Sequence, residues 1–167
     1  YYGGCENPEY RELYVRWFQF GGFCPIFRSH GSSTPREIWR FGEKGSWAYD
    51  ALEKTDLLRY RLMPYIYSLS WMVTDKGYTI MRGFPFDFRS DTTALNINDE
   101  YMFGPAFLVA PVTKAMYNME KVNAAAKIFK DNKTEVKTPL VYNKEIRTRD
   151  VYLPQPAEWY DFRTGEK

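Results

Sequence analysis

The chain has a single histidine, and it stands in Cys24-Pro25-Ile26-Phe27-Arg28-Ser29-His30-Gly31. A short apolar run breaks off there into a guanidinium, a hydroxyl and an imidazole, side chains that can hydrogen-bond a polar ligand. Parallel α/β folds present such residues at the carboxyl end of a buried strand. The competing reading is a half-buried histidine that ties down a loop. The acids point less clearly to chemistry. Asp87, Asp91, Asp99 and Glu100 have the spacing of turn and cap residues, and Asp161 falls in a predicted strand. Cys5 and Cys24 lack CxxC spacing, and a zinc site needs about four ligands, so no metal site is predicted. One disulfide or two buried free thiols both fit them.

Elements must carry these side chains. Asn7-Pro8-Glu9 is a helix start, with a capping acceptor, proline at the first helical position and an acid at the positive end of the dipole. The helix is predicted to run to Phe20, with Leu13, Trp17 and Phe20 on one face, Tyr10 and Tyr14 alongside, and Gly21-Gly22 as its stop. Phe23 to Phe27 then reads as a strand buried on both faces. Ser29 to Gly45 is a loop holding Trp39 and Phe41. A long helix follows from Ser46 to Lys76, kinked or broken at Pro64. Beyond Gly77 the pattern turns to β: Thr79–Arg82, Phe86–Phe88, Phe107–Val112, Val151–Pro154 and Trp159–Phe162, with one capped turn at Asn98-Asp99-Glu100. Lys114 to Asp150 is lysine-rich and reads as a surface excursion.

Composition narrows the function classes. At 167 residues and a net charge of +2 with both signs interspersed, the chain has no nucleic-acid or anionic-membrane footprint. No apolar run approaches the ~20 residues of a membrane span. Aromatic residues make up 19% of the sequence, enough to fill a core and to supply stacking platforms as well. The first half, however, offers one buried parallel strand with a helix on either side and no neighbouring strands. Such a strand needs partners on both edges, so the sequence is predicted to start inside a larger fold.

Five segments together resemble glycoside hydrolase family 31, the α-glucosidase and α-xylosidase family. They are Tyr2-Gly3-Gly4-Cys5-Glu6-Asn7-Pro8 leading into Glu12 to Gly21; Phe23 to Gly31 with Glu37-Ile38-Trp39-Arg40-Phe41-Gly42; Leu58 to Leu69; Tyr101 to Val112; and Val151 to Pro154 with Trp159-Tyr160-Asp161-Phe162 and Thr164-Gly165. The resemblance implies an α/β-plus-β fold: residues 1–78 as the last quarter of a (β/α)8 TIM barrel, and 79–167 as part of the β-sandwich that follows, with an insertion at about 114–150. Phe23 to Phe27 would be the eighth barrel strand. His30 would contact the sugar bound at the cleaved position. Arg28 would be a second binding-site residue that orients the loop or pairs with a carboxylate from another strand.

Family members are retaining enzymes that use two carboxylates about 5 Å apart. The motifs that carry them precede the segments matched here, so no catalytic residue is assigned to this chain. The resemblance thus implies an oligosaccharide substrate and no cofactor or metal. It also implies that the N-terminal part of the barrel comes from preceding polypeptide. The Gln19-Phe20-Gly21 and Glu37-Ile38-Trp39 neighbourhoods are closest to bacterial α-xylosidases. A non-catalytic carbohydrate-binding or structural module is the alternative. The two differ in whether the Phe23–Phe27 run and the long helix bury their apolar faces within the chain.

Overall fold

The computed structural model describes residues 4–31, 34–116 and 148–167. Most of the predicted insertion at 114–150 lies outside the described residues. Packing divides the chain into two units. One reaches to Met63 and takes up the segment that begins at Val112; the other comprises Pro64–Pro111 and Arg149–Lys167.

The first unit is built on two helices, α1 (Pro8–Gly21) and α2 (Trp47–Arg61). Asn7 caps α1 as its sequence requires: Oδ1 accepts from the Glu9 and Tyr10 N–H groups at 2.9 and 3.2 Å, and Pro8 fills the first helical position, where no N–H is needed. Asn7→Ala is expected to cost about 1 kcal/mol in a denaturant titration. Tyr10 and Val15 of α1 meet Ala48 and Leu52 of α2 around Cys5 and Phe41, with Tyr14 and Phe18 packed against them. The buried face of α1 therefore runs through Tyr10, Tyr14 and Phe18 and not through the predicted Leu13, Trp17 and Phe20. Trp17 is 64% exposed.

The predicted long helix is two. α2 stops at Arg61 and α3 (Met63–Lys76) begins two residues later. Pro64 has no N–H to offer the Tyr60 carbonyl, so the ladder breaks there.

In the second unit, β1 (Met81–Arg82), β2 (Tyr101–Phe103) and β3 (Phe107–Val109) form an antiparallel sheet in that order. Met81 pairs with Phe103, and Met102 with Leu108. The β2–β3 hairpin turns at Gly104, whose φ is +64°. Tyr65 of α3 reaches into this turn. Its Oη donates to the Phe103 carbonyl at 3.0 Å and accepts from the Ala106 N–H at 3.1 Å. Phe84, Ala94 and Met102 form the core, with Phe88, Leu108, Tyr152 and Trp159 around it.

Several predicted strands are absent among the described residues. Phe23–Phe27 is a succession of turns and bends. Val151–Pro154 and Trp159–Phe162 are irregular segments, and Phe84–Phe86 is a 3-10 turn where Phe86–Phe88 reads as β. Asn98-Asp99-Glu100 forms no helical turn, and Asp99 lies in a bend. The causes are local. The Phe23 and Cys24 N–H groups bond back to Phe20 and Gly21, each at 3.0 Å, which closes a turn where a strand would need them outward. Tyr152 and Trp159 plug the core as loop residues, with Trp159 Nε1 donating to the Pro154 carbonyl at 2.9 Å. Asp161 closes a turn, its Oδ1 accepting from the Arg163 and Thr164 N–H groups at 2.8 Å each.

Arg149 holds the end of the second unit in place. It donates to Asp99 at 3.0 Å, to the buried Glu100 at 3.4 Å and to the Pro111 carbonyl.

Candidate functional site

The segment carrying His30 leaves the end of α1 and passes α2. Arg28, Ser29 and His30 are all exposed, in a stretch without regular secondary structure. Three contacts shape the approach. The Phe27 ring packs edge-on against Phe18 at 4.7 Å. Gly21 lets it approach, since a Cβ there would lie 3.0 Å from the ring. Arg59 of α2 donates to the carbonyls of Gly22 at 3.1 Å, of Pro25 at 3.0 Å and of Cys24, with its guanidinium 5.8 Å from the Phe27 centroid. Burial holds Arg59 below the ordinary guanidinium value, with the Cys24 thiol as a smaller influence.

A second grip comes from α1. Tyr14 stacks on Phe41 at 4.1 Å and donates its hydroxyl proton to the Arg36 carbonyl at 2.9 Å. Its oxygen lies 2.6 Å from Ser29 Oγ, and with the tyrosine proton committed elsewhere, the serine is the donor. Burial pushes the Tyr14 hydroxyl above its usual value, so it stays a donor across the neutral range. Arg36 in turn donates to the His30 carbonyl. Gly31 permits the return of the chain, because a Cβ there would lie 2.3 Å from the Thr34 carbonyl oxygen.

These grips leave the two residues singled out by type side by side. Arg28 Nη2 lies 3.1 Å from His30 Nδ1. A guanidinium only donates, so in this contact Nδ1 is the acceptor and Nε2 carries the N–H. The result is an exposed N–H donor whose tautomer is set from behind, suited to a hydroxyl-rich ligand. Tyr14, Ser29, Arg36 and Arg59 were not singled out as site residues. Only the closeness of Ser29 to His30 in sequence could have suggested one of them.

Asp91 takes up the capping role its spacing implies, whereas Asp87, Asp99 and Glu100 meet arginines. Arg82 pairs with Asp87 at 3.1 Å. Asp91 accepts from the Thr93 and Ala94 N–H groups at 3.0 and 3.1 Å, from the Gln155 N–H at 3.0 Å and from Tyr152 Oη at 2.9 and 3.0 Å. The N–H groups of Gln155 and Ala94, in that order, hold its carboxyl below the usual aspartate value. The unfolded chain thus binds the proton more readily than the folded one. This contribution is present above the ordinary value near 3.8 and is lost as pH falls through the folded one. Asp91→Asn is expected to flatten the acid limb of the second unit's stability-versus-pH curve, measured by circular dichroism from pH 5 downward.

Both cysteines are free thiols. Cys5 is buried and donates to the Pro35 carbonyl at 3.0 Å, Cys24 is half-buried, and burial raises both thiols above their usual value. Among the described residues no group of three or more His, Cys, Asp or Glu side chains is placed to hold a metal, and no helix is long and apolar enough to cross a membrane.

Residues 2–69 match the glycosyl hydrolases family 31 TIM-barrel domain, and residues 77–139 match the family's C-terminal domain. The chain belongs to glycoside hydrolase family 31. It is 41% identical to an alpha-xylosidase of Saccharolobus solfataricus over 99% of its own length and 18% of that protein's. It is 32% identical to neutral alpha-glucosidase C of Mus musculus, over 97% of its length and 15% of that protein's. Among solved structures it resembles the family 31 alpha-xylosidase of Xanthomonas citri, with a TM-score of 0.62 and 52% identity over 64% of this chain and 12% of that one. The chain thus spans less than a fifth of the length of each of these relatives.

Proposed function

We propose that this chain is part of a retaining α-glycosidase acting on terminal α-xylosyl or α-glucosyl linkages of oligosaccharides, and that it forms one wall of the sugar site. Residues 1–78 supply the last quarter of the catalytic barrel, and 79–167 begin the sandwich that follows it in the chain. The preceding strands, with the nucleophile and the acid/base carboxylate, come from upstream polypeptide. The observation that carries this reading is the His30 imidazole, exposed and anchored through Nδ1 by Arg28, which leaves Nε2–H to donate to a sugar hydroxyl. Arg28 serves the site by holding the ring.

Exposure favours this reading over a self-contained binding module. Ile26 is 82% exposed, Tyr60 67% and Tyr67 80%, apolar surface of the kind that neighbouring barrel elements cover.

The test is hydrolysis of p-nitrophenyl α-xyloside and α-glucoside by the full-length protein. His30→Ala is expected to lower kcat/KM by about 10- to 100-fold, the scale of a lost hydrogen bond to substrate. An unchanged kcat/KM in that variant would overturn the role of His30. The 167-residue chain alone is expected to hydrolyse neither substrate, because both catalytic carboxylates are assigned to upstream polypeptide. Turnover by the isolated chain would contradict the assignment of both catalytic carboxylates to upstream polypeptide.

A further inference from the structure

We infer that Arg59 is a positioning residue for the sugar site: it holds three carbonyls of the segment that leads into His30 and so fixes where His30 stands. The inference rests on the reading of His30 given above and extends it to a residue of α2 that makes no contact with the ligand. Three carbonyls, those of Gly22, Cys24 and Pro25, converge on one guanidinium, and these residues form the lead-in to Arg28 and His30. The backbone there makes no ladder among the described residues, and its first N–H groups turn inward to α1. Without Arg59 these three carbonyls lose that shared donor, and the lead-in is free to relax.

The chemistry requires arginine in particular. A planar fork with several fixed N–H groups can reach three acceptors spread over four residues, whereas an ammonium is a point charge on a flexible stem. The same guanidinium lies over the Phe27 ring, which fixes the exit side of the lead-in. Tyr14 is the complementary holding point. It secures Ser29, next to His30, and through the Arg36 carbonyl the returning limb of the loop. His30 thus sits between a grip from α2 and a grip from α1, and its placement follows the packing of these two helices.

The experiment measures KM and kcat separately in the full-length enzyme on p-nitrophenyl α-xyloside and α-glucoside, for Arg59→Ala, Arg59→Lys, His30→Ala and the Arg59→Ala/His30→Ala double variant. Arg59→Ala is expected to raise KM about tenfold, with Arg59→Lys recovering little of it. Free guanidinium at concentrations far below denaturing ones is expected to restore Arg59→Ala and leave His30→Ala unaffected. In the His30→Ala background Arg59→Ala is expected to add less than about twofold, because a positioning residue has nothing left to position.

Arg59 effects that multiply with those of His30, or a lower melting temperature with unchanged KM, would reduce Arg59 to a purely structural role and overturn the inference. An unchanged kcat/KM in His30→Ala would instead overturn the underlying reading, and the two failures are thereby told apart. Should Arg59→Ala not accumulate as folded protein, Tyr14→Phe tests the same loop from the other grip. It removes one hydroxyl and is expected to raise KM without additivity to His30→Ala; additive effects there would overturn the inference equally.

Discussion

Gly104→Ala is expected to destabilise the second unit by about 3 kcal/mol. Two costs coincide. The backbone at Gly104 has φ +64°, a left-handed conformation that a residue with a Cβ adopts only under strain. The added methyl would also lie 2.2 Å from Tyr65 Oη and 2.7 and 2.8 Å from the two Leu69 methyls. Neither neighbour can give way easily. Leu69 is 1% exposed, and Tyr65 Oη is committed to both sides of the turn, at Phe103 and Ala106. A urea titration checks the loss. Tyr65→Phe, introduced into Gly104→Ala, removes the closest obstacle, so the double variant is expected to lose less than the sum of the two single ones. A cost below about 1 kcal/mol would mean that the turn tolerates a side chain and that the Tyr65 contact is slack.

The second large effect is at Arg149. Glu100 is 6% exposed, and its Oε1 accepts from the Tyr152 N–H at 2.9 Å and from Arg149 at 3.4 Å. Its Oε2 is buried without a hydrogen-bond partner among the described residues. Burial pushes the carboxyl above the ordinary glutamate value, and the Tyr152 N–H and Arg149 pull it back in part. Arg149→Met removes one of these counterweights and leaves a buried carboxylate unpaired, at an expected cost of about 3 kcal/mol near neutral pH. The pH dependence identifies the cause. A raised carboxyl is held protonated more tightly by the folded chain than by the unfolded one. The contribution of Glu100 is therefore greatest below the ordinary value of 4.5 and falls as pH climbs from there through the folded value. The deficit of Arg149→Met is expected to shrink in acid and to be largely cancelled by adding Glu100→Gln. A deficit independent of pH would assign the loss to the Pro111 and Asp99 contacts instead.

Local chemistry was readable from the sequence, and partners were not. Asn7-Pro8-Glu9 announced the start of α1 because a cap needs only its own next three residues. Pro64 announced the break between α2 and α3 for the same reason. The Phe23–Phe27 strand failed because a parallel strand is defined by neighbours, and the residue that meets its carbonyls is Arg59, far along the chain. Tyr152 and Trp159 looked like strand residues, since β-branched and aromatic composition marks a half-buried position whether or not a ladder forms. At the candidate site, His30 and Arg28 stood out by type, and the structure sets them 3.1 Å apart. The residues that hold them come from two helices and were invisible without the packing.

The contact of Arg149 with the Pro111 carbonyl bears on inheritance. It brings together the two points between which the chain departs from the second unit and to which it returns. Closing a longer loop adds only about 0.6 kcal/mol for each doubling of its length. The interval between these anchors is therefore where a lineage can insert or delete sequence with the sheet and its core left as they are, and length differences among relatives are expected to collect there.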